Sequence, residues 1–273
     1  MPPESGASAR ISAARTFLFV PGDRPDRFDK AVASEADIVI LDLEDAVAPG
    51  AKNMARKAIG DWLRAGNSAV VRINAAGSAW FEEDLQLSTC SSLLGFMLPK
   101  AEMEPALDRV ATMKPVVALI ENAIGVCDVR AIARHPGVVR LAFGTIDLAL
   151  DLGTASDELL ATIAVQLVLA SRAGGVASPI DGVTTDFKDA ALVEEAMREA
   201  RSRGFGAKLC IHPAQLPAVR RAFAPSPEAL ARARQIVAAD QASGGAAVAL
   251  DGQMVDKPLV AQAYRVLKDA GFV

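Results

Sequence analysis

The chain has few cysteines and histidines, the residues that a disulfide-bonded protein or a histidine-rich metalloprotein needs. It contains three cysteines and two histidines in 273 residues. Cys90, Cys127 and Cys210 are far apart, odd in number and without metal-ligand spacing, so we expect reduced thiols rather than disulfides or a zinc cluster. His135 and His212 are too few for a histidine-rich metal site or a Ser/His/Asp set argued from sequence.

Other classes are excluded by missing segments. No apolar run approaches the roughly 18 residues of a transmembrane helix, so we expect no membrane association. The first ten residues lack the apolar core of a signal peptide, and we predict a disordered lead over residues 1–14 and a cytoplasmic protein. Neither a dinucleotide-binding glycine motif nor a P-loop occurs. With 29 basic and 33 acidic residues, the charge of −4 disfavours a general nucleic-acid binder.

What the chain does have is a series of short apolar runs, many of which end in a charged residue. They are Thr16–Val20, Ile38–Leu43, Ala69–Ile73, Gly95–Leu98, Val116–Ile120, Val138–Phe143, Ser178–Ile180 and Lys208–Ile211. Such runs are typical of strands buried on both faces, and helix-like segments between them indicate parallel pairing. We predict an α/β fold, a (β/α)8 TIM barrel over residues 15–223, with its site at the carboxyl ends of the strands.

The helical segments and the tail complete the predicted organisation. The predicted barrel helices are Pro25–Ser34, Ala51–Leu63, Ala155–Ala173 and Asp189–Arg203. Residues 224–273 are predicted to form a helical extension with helices Pro227–Ala239 and Leu259–Ala270 joined by a flexible link, Gly244–Gly252. Because this extension is too short for an independent domain, we expect it to pack on its own barrel or on a neighbouring subunit.

Two carboxylates follow the fifth and sixth runs, which are neighbours in a barrel. Glu121 and Asp147 could together bind one Mg²⁺ ion, with water and substrate oxygens completing the coordination. The alternative is that each is an ordinary surface acid. Because strand ends converge in a barrel, we favour the metal site.

A group of acids stands at the end of the second run, and an arginine stands near the end of the third. Arg72 could bind a carboxylate or a developing oxyanion with two donors, or form a structural salt bridge to Glu44 or Asp45. Asp42 points to the same strand face as Glu44. We expect these acids to lie close to the metal, acting through water, or else in a surface loop.

Basic residues cluster in the first two loops and helix starts. They are Arg24, Arg27, Lys30, Lys52, Arg56 and Lys57. In a chain of negative net charge, this cluster suggests a phosphate-bearing ligand. The alternative is an ordinary solvated helix face.

Several stretches of the chain resemble the citrate lyase β-subunit-like branch of the HpcH/HpaI aldolase superfamily. They are LFVPGDRP (18–25), ILDLEDAV (40–47), VRIN (71–74), MLPKAE (97–102), ALIE (118–121), CIHP (210–213) and DGQMVD (251–256). They extend over nearly the whole chain after Arg15, and the second and fourth stretches are specific.

This resemblance implies a TIM barrel, Mg²⁺ on Glu121 and Asp147, and Arg72 against the keto-acid part of the substrate. It implies a CoA or acyl-carrier thioester near Phe19, Lys30, Lys52 and Arg56 and near the strand Lys208–Ile211. It also implies that Asp256 is a catalytic acid contributed by a neighbouring subunit, and therefore a homo-oligomer, expected to be a trimer.

The chain departs from its relatives at two positions near this predicted site. Many relatives have a second acid where this chain has Ile146, and Thr or Ser is common where it has Asn122. No histidine follows the first or second run, which argues against a simple 4-hydroxy-2-oxo-acid aldolase.

We therefore predict a Mg²⁺-dependent carbon–carbon lyase that cleaves or forms a 3-hydroxyacyl thioester, such as citramalyl-, malyl- or citryl-CoA, giving acetyl-CoA and a 2-keto acid. We count Glu44 and Asp45 with Arg72 and Asp256 as its catalytic residues. Three alternatives stay open: a citrate lyase β subunit acting on citryl-acyl-carrier protein, a CoA-thioester hydrolase, and a non-catalytic ligand-binding barrel.

Overall fold

The computed structural model describes residues 6–244, 246–250 and 253–272. Residues 1–5 of the predicted lead and Asp251 and Gly252 of the DGQMVD stretch lie outside the described residues. The chain divides into two compact units on either side of Val219 and Arg220, close to the predicted boundary after residue 223.

The first unit is a closed barrel of eight parallel strands, which confirms the predicted fold. The strands are β1 (Thr16–Pro21), β2 (Ile38–Asp42), β3 (Ala69–Arg72), β4 (Leu93–Leu98), β5 (Val116–Ile120), β6 (Val138–Phe143), β7 (Ala177–Asp181) and β8 (Ala207–Cys210). Each strand pairs with the next along the chain, and β8 pairs with β1. The apolar runs therefore gave nearly correct strand positions, because most of them are buried on both faces, β7 with its exposed Ser178 being an exception.

Helices precede β1, connect the strands of the barrel and follow β8. They are α1 (Gly6–Ala13), α2 (Phe28–Ala33), α3 (Lys52–Arg64), α4 (Phe81–Asp84), α5 (Pro105–Met113), α6 (Ala123–Ile132), α7 (Thr145–Asp151), α8 (Asp157–Gly174), α9 (Ala190–Arg203) and α10 (Leu216–Phe223). Asp189, the first residue of the predicted segment Asp189–Arg203, caps helix α9 by accepting hydrogen bonds from the backbone N–H groups of Ala191 and Leu192.

The register of the strands aligns their charged ends. Asp42 at the end of β2 is level with Pro21 of β1 and with Arg72 of β3. Arg72 is in turn level with Met97 of β4. The barrel therefore places Asp42 and Arg72 side by side at its carboxyl end.

The predicted disordered lead is wrong for Gly6–Ala13, which form helix α1. Ile11 of this helix is fully buried in the barrel core with Phe17, although the helix itself is only weakly apolar. The buried guanidinium of Arg140 holds the chain around α1 by donating to the carbonyls of Ile11 and Ala14 at 3.0 and 2.6 Å. These contacts are tertiary, so local composition did not reveal the helix.

In its described residues, the second unit contains the end of α10, two further helices and a hairpin. Helices α11 (Pro227–Ala242) and α12 (Lys257–Asp269) flank strands β9 (Val248–Leu250) and β10 (Gln253–Val255), which pair antiparallel. The predicted flexible link over Gly244–Gly252 is therefore wrong where β9 forms. The buried core of this unit consists of Ala233, Ile236, Val255, Val260, Ala263 and Leu267. Of the helices in the described part of the chain, none combines the length and apolarity that crossing a bilayer requires.

Candidate active site

A cavity of about 340 Å³ opens at the carboxyl ends of the barrel strands. Its lining combines acids and one arginine with a larger number of apolar side chains. The lining residues are Phe19, Asp42, Asp45, Ala46, Arg72, Leu119, Glu121, Phe143, Gly144, Thr145, Ile146, Asp147, Val183, Leu209 and Ile211. The site residues predicted from the ends of β2, β3, β5 and β6 are thus brought together, except for Glu44, which lies beside the cavity.

Arg72 is held in place by a bidentate ion pair with Asp42. Its Nε and Nη2 donate to the two carboxylate oxygens at 2.7 and 2.6 Å. The guanidinium also lies over the ring of Phe19, with 4.9 Å to the centroid. Burial alone would lower the pKa of Arg72, but the hydrogen bonds and charge of Asp42 raise it above the ordinary value. The predicted salt bridges to Glu44 and Asp45 are present at 3.1 and 3.5 Å, but Asp42 is the main partner.

Glu44 is a buried carboxylate between two cations. Its Oε1 lies 3.2 Å from Lys100 Nζ, and its Oε2 lies 3.1 Å from Arg72 Nη1. That second contact lacks hydrogen-bond geometry, so Oε2 is buried without a hydrogen-bond partner among the described residues. Burial raises the pKa of Glu44, and the neighbouring acids add to the effect while Arg72 and Lys100 oppose it. Asp45 is exposed and lines the cavity.

Glu121 is buried at the end of β5 and faces the cavity. Burial raises its pKa to about 8, with further contributions from the charges of Glu44 and Asp147. Its Oε1 accepts a hydrogen bond from the backbone N–H of Lys100 at 2.8 Å. Burial first, and the neighbouring acids second, thus disfavour the carboxylate form of Glu121, and a bound divalent ion would stabilise that form.

Gly144 gives the Glu121 carboxylate its space. A Cβ at Gly144 would lie 2.5 Å from Glu121 Cβ and 2.7 Å from Glu121 Oε2. Glycine is therefore required by the close approach of this side chain, and not by backbone conformation, because φ is −88°.

Lys100 is a site residue to which the sequence reasoning gave no role. It has a positive φ of 47°, which is uncommon for a residue with a side chain. This conformation presents its N–H to Glu121 while its ammonium reaches Glu44. A charged residue two positions after the end of the fourth apolar run was the available signal.

Asp147 lies in the first turn of α7, half-buried, and lines the same cavity as Glu121. Within the described residues, no group of three or more His, Cys, Asp or Glu side chains is arranged to hold a metal. A pair of carboxylates nevertheless fits Mg²⁺, which usually keeps several water or substrate oxygens. The donor chemistry, the raised pKa of Glu121 and the space left by Gly144 all agree with this ion.

The two departures from related sequences have distinct structural consequences. Asn122 caps helix α6, since its Oδ1 accepts from the Gly125 N–H at 2.7 Å, as a Thr or Ser could at this position. Ile146 is half exposed and lines the cavity beside Asp147. The first departure therefore preserves a cap, whereas the second places an apolar surface in the site.

Two of the predicted phosphate-binding residues, Lys52 and Arg56, are bound to partners within the chain. Lys52 is buried, and its Nζ donates to the carbonyls of Leu43 and Glu44 at 2.8 and 3.0 Å. Arg56 is ion-paired with the buried Asp84 at 2.7 Å. Both residues thus have structural partners that support the β2 end and α3, and their role toward a ligand stays a prediction.

Two other predicted residues are exposed on the unit to which each belongs. Lys30 is exposed on helix α2. Asp256 belongs to the second unit, where it is exposed and caps α12 by accepting from the Leu259 N–H at 3.2 Å. The catalytic role of Asp256 also stays a prediction.

Comparison with known proteins gives one family model and relatives that match most of the chain. Residues 15–213 match the family model described as HpcH/HpaI aldolase/citrate lyase. A citrate lyase subunit beta-like protein of Mycobacterium tuberculosis is 39% identical over 268 residues, covering 95% of this chain and 97% of that protein. A (3S)-malyl-CoA thioesterase of Cereibacter sphaeroides is 33% identical, covering 94% of each chain.

A solved structure extends the similarity to three dimensions. The crystal structure of CitE from Mycobacterium tuberculosis, in complex with magnesium, acetoacetate and coenzyme A, superposes with a TM-score of 0.85 at 38% identity. The match covers 95% of this chain and 99% of that one.

Proposed function

Because the chain belongs to the HpcH/HpaI aldolase/citrate lyase family, and so to a family of lyases, we propose that it is a Mg²⁺-dependent carbon–carbon lyase acting on a 3-hydroxyacyl thioester. Cleavage would give acetyl-CoA and a 2-keto acid, and condensation would run the same step in reverse. The observation that carries the proposal is the convergence of Glu121, Asp147 and the clamped Arg72 on one cavity.

Glu121 and Asp147 are the residues that would hold the ion. Both face the cavity, and Glu121 is fixed by the Lys100 N–H on one oxygen. When bound, Mg²⁺ supplies Lewis-acid polarisation of the carboxylate, hydroxyl or keto oxygens of the substrate. The magnesium in the related CitE structure supports this assignment.

Arg72 would stabilise charge on the oxygen at the reacting carbon. In cleavage the hydroxyl proton passes to solvent water, the bond between C2 and C3 of the acyl chain breaks, and its electron pair passes to the thioester enolate. The oxygen becomes the keto group of the released acid. Arg72 is oriented for this because Asp42 fixes two of its nitrogens, whereas Nη1 is held only by longer contacts.

Asp256 would then donate a proton to the acetyl enolate, giving the acetyl thioester. We propose that this residue comes from the second unit of a neighbouring copy in a homo-oligomer, expected to be a trimer. The test is complementation between two inactive variants, Glu121→Gln and Asp256→Asn. Mixing them under conditions of subunit exchange should restore part of the activity, whereas activity that stays absent after exchange would contradict a shared site.

The thioester is proposed to be carried by CoA, which the related CitE structure contains together with acetoacetate. Lys30 is the exposed candidate for contact with CoA phosphates. A citryl-acyl-carrier protein is the alternative carrier, and activity that requires such a protein would favour a citrate lyase β subunit.

The primary test is mass spectrometry of acyl-CoA products. The protein would be incubated with acetyl-CoA, Mg²⁺ and each of glyoxylate, pyruvate and oxaloacetate, with and without EDTA. A new, EDTA-sensitive 3-hydroxyacyl-CoA is expected, and it should be lost in Glu121→Gln. Activity retained in that variant would contradict the metal assignment.

A thioester hydrolase is the second candidate, favoured by the 33% identity to the malyl-CoA thioesterase. It would attack the thioester carbonyl with water and release free CoA and the intact hydroxy acid. Incubation with malyl-CoA separates the two reactions: the lyase gives acetyl-CoA and glyoxylate, and the hydrolase gives malate without keto acid.

A further inference from the structure

The cavity has a charged side and an apolar side. The charged groups come from the ends of β2, β3 and β5 and from the start of α7. The apolar side is formed around the consecutive strands β6, β7, β8 and β1. Its side chains are Phe143, Ile146, Val183, Leu209, Ile211 and Phe19, whereas Leu119 is an apolar lining residue from β5, the strand that precedes Glu121.

Negative charge dominates the polar side. Four acids line the cavity, namely Asp42, Asp45, Glu121 and Asp147, with Arg72 as the single lining cation among the described residues. A divalent ion would reduce the resulting charge but leave the site negative overall. One substrate carboxylate is accommodated by the ion and Arg72, but a second would face excess negative charge or an apolar wall.

Two lysines close to the strand ends, Lys100 after β4 and Lys208 in β8, already have carboxylate partners. Lys100 Nζ lies 3.2 Å from Glu44. Lys208 is buried, and its Nζ lies 2.6 Å from Asp181 and donates to the Gly182 carbonyl at 2.8 Å. Neither lines the cavity, so the barrel as described offers no second cation to an incoming dianion.

We propose that the 2-keto acid handled by this site is a monocarboxylate whose remaining substituent is small and uncharged, and that Ile146 determines this preference. The inference rests on the proposed lyase function. Ile146 and Ile211 are large apolar side chains that stay 52% and 40% exposed at the cavity, where a substrate methyl group would cover apolar surface. A carboxylate in the same place would lose its hydration without gaining a cation.

The test compares pyruvate with oxaloacetate as partners of acetyl-CoA in the Mg²⁺-supplemented protein. We expect kcat/KM for pyruvate to exceed that for oxaloacetate at least tenfold. Ile146→Lys supplies a cation and should narrow this ratio at least fivefold, mainly through a lower KM for oxaloacetate. Ile124→Lys is the matched control, because Ile124 is also an exposed isoleucine but does not line the cavity. This control should leave the ratio unchanged.

Equal or better use of oxaloacetate by the unaltered protein would overturn the inference, as would an unchanged ratio in Ile146→Lys. Calorimetric titration of the Mg²⁺-loaded protein with pyruvate and with freshly dissolved oxaloacetate provides a readout that does not depend on turnover. If no keto acid yields a carbon–carbon product, the proposed function fails. The inference is then decided by binding: tighter pyruvate binding supports it, and equal or tighter oxaloacetate binding refutes it.

Discussion

Replacing Gly144 by alanine should displace the Glu121 carboxylate from its position in the site. The new Cβ would lie 2.5 Å from Glu121 Cβ, whereas non-bonded carbon atoms prefer about 3.5–4.0 Å. The side chain must therefore move by roughly 1 Å, while metal–ligand distances tolerate only about 0.2 Å. We expect the affinity for Mg²⁺ to fall about 10- to 100-fold, in the range found when a ligand's supporting contacts are removed.

The assay is calorimetric titration with MgCl₂, combined with urea unfolding of the metal-free protein. Overpacking should reduce the free energy of unfolding by about 1–3 kcal/mol. Gly50→Ala is the matched control, because a Cβ there meets nothing within 4 Å. Unchanged Mg²⁺ affinity in a folded Gly144→Ala protein would refute the placement of Glu121 as a metal ligand.

Three further perturbations test other parts of the account. The pKa of Glu121 is raised from 4.5 to about 8, so Mg²⁺ must displace a proton from this residue below pH 8. As the pH rises, the dissociation constant of Mg²⁺, measured by titration, should therefore fall by up to about tenfold per pH unit and level off above pH 8. Since the unfolded chain binds fewer protons in this window, the unfolding free energy of the metal-free protein should decrease between about pH 4.5 and 8, and a rise attributable to Glu121 would contradict the shift. Asp42→Asn should lower kcat/KM at least 100-fold and the free energy of unfolding by about 3 kcal/mol, because Arg72 loses its anionic partner. Near-normal values of both quantities would contradict the role of Asp42 in holding Arg72. Arg140→Met should reduce the free energy of unfolding, measured in urea, by about 3 kcal/mol, because buried carbonyls around α1 lose their hydrogen-bond donor. The kcat of this variant should be unchanged. An unchanged free energy of unfolding would show that Arg140 does not anchor the helix.

The barrel could be predicted from sequence because most of its strands are buried on both faces. Runs such as Val116–Ile120 and Val138–Phe143 have the bounds of the observed strands. Once eight such runs close into a barrel, topology alone brings Arg72, Glu121 and Asp147 to one cavity. The general location of the site therefore followed from hydrophobic pattern and strand order.

The details that could not be predicted depend on tertiary contacts. Helix α1 is held by Arg140, which lies more than a hundred residues away in the chain. The positive φ of Lys100 and the burial of the Lys52 ammonium against backbone carbonyls have no local sequence signature. From sequence alone, a basic residue in a loop can be a ligand contact or a structural hydrogen-bond donor, and only its partners in the fold distinguish the two.

The central claim is that this cavity makes and breaks a carbon–carbon bond with Glu121 as a ligand of the required metal. The most direct measurement is ¹³C NMR of [2-¹³C]acetyl-CoA incubated with [2-¹³C]pyruvate, Mg²⁺ and the protein. The account predicts a new one-bond ¹³C–¹³C coupling that disappears with EDTA and in Glu121→Gln. Labelled acetate and free CoA without any coupled signal would contradict the account and assign the site to thioester hydrolysis.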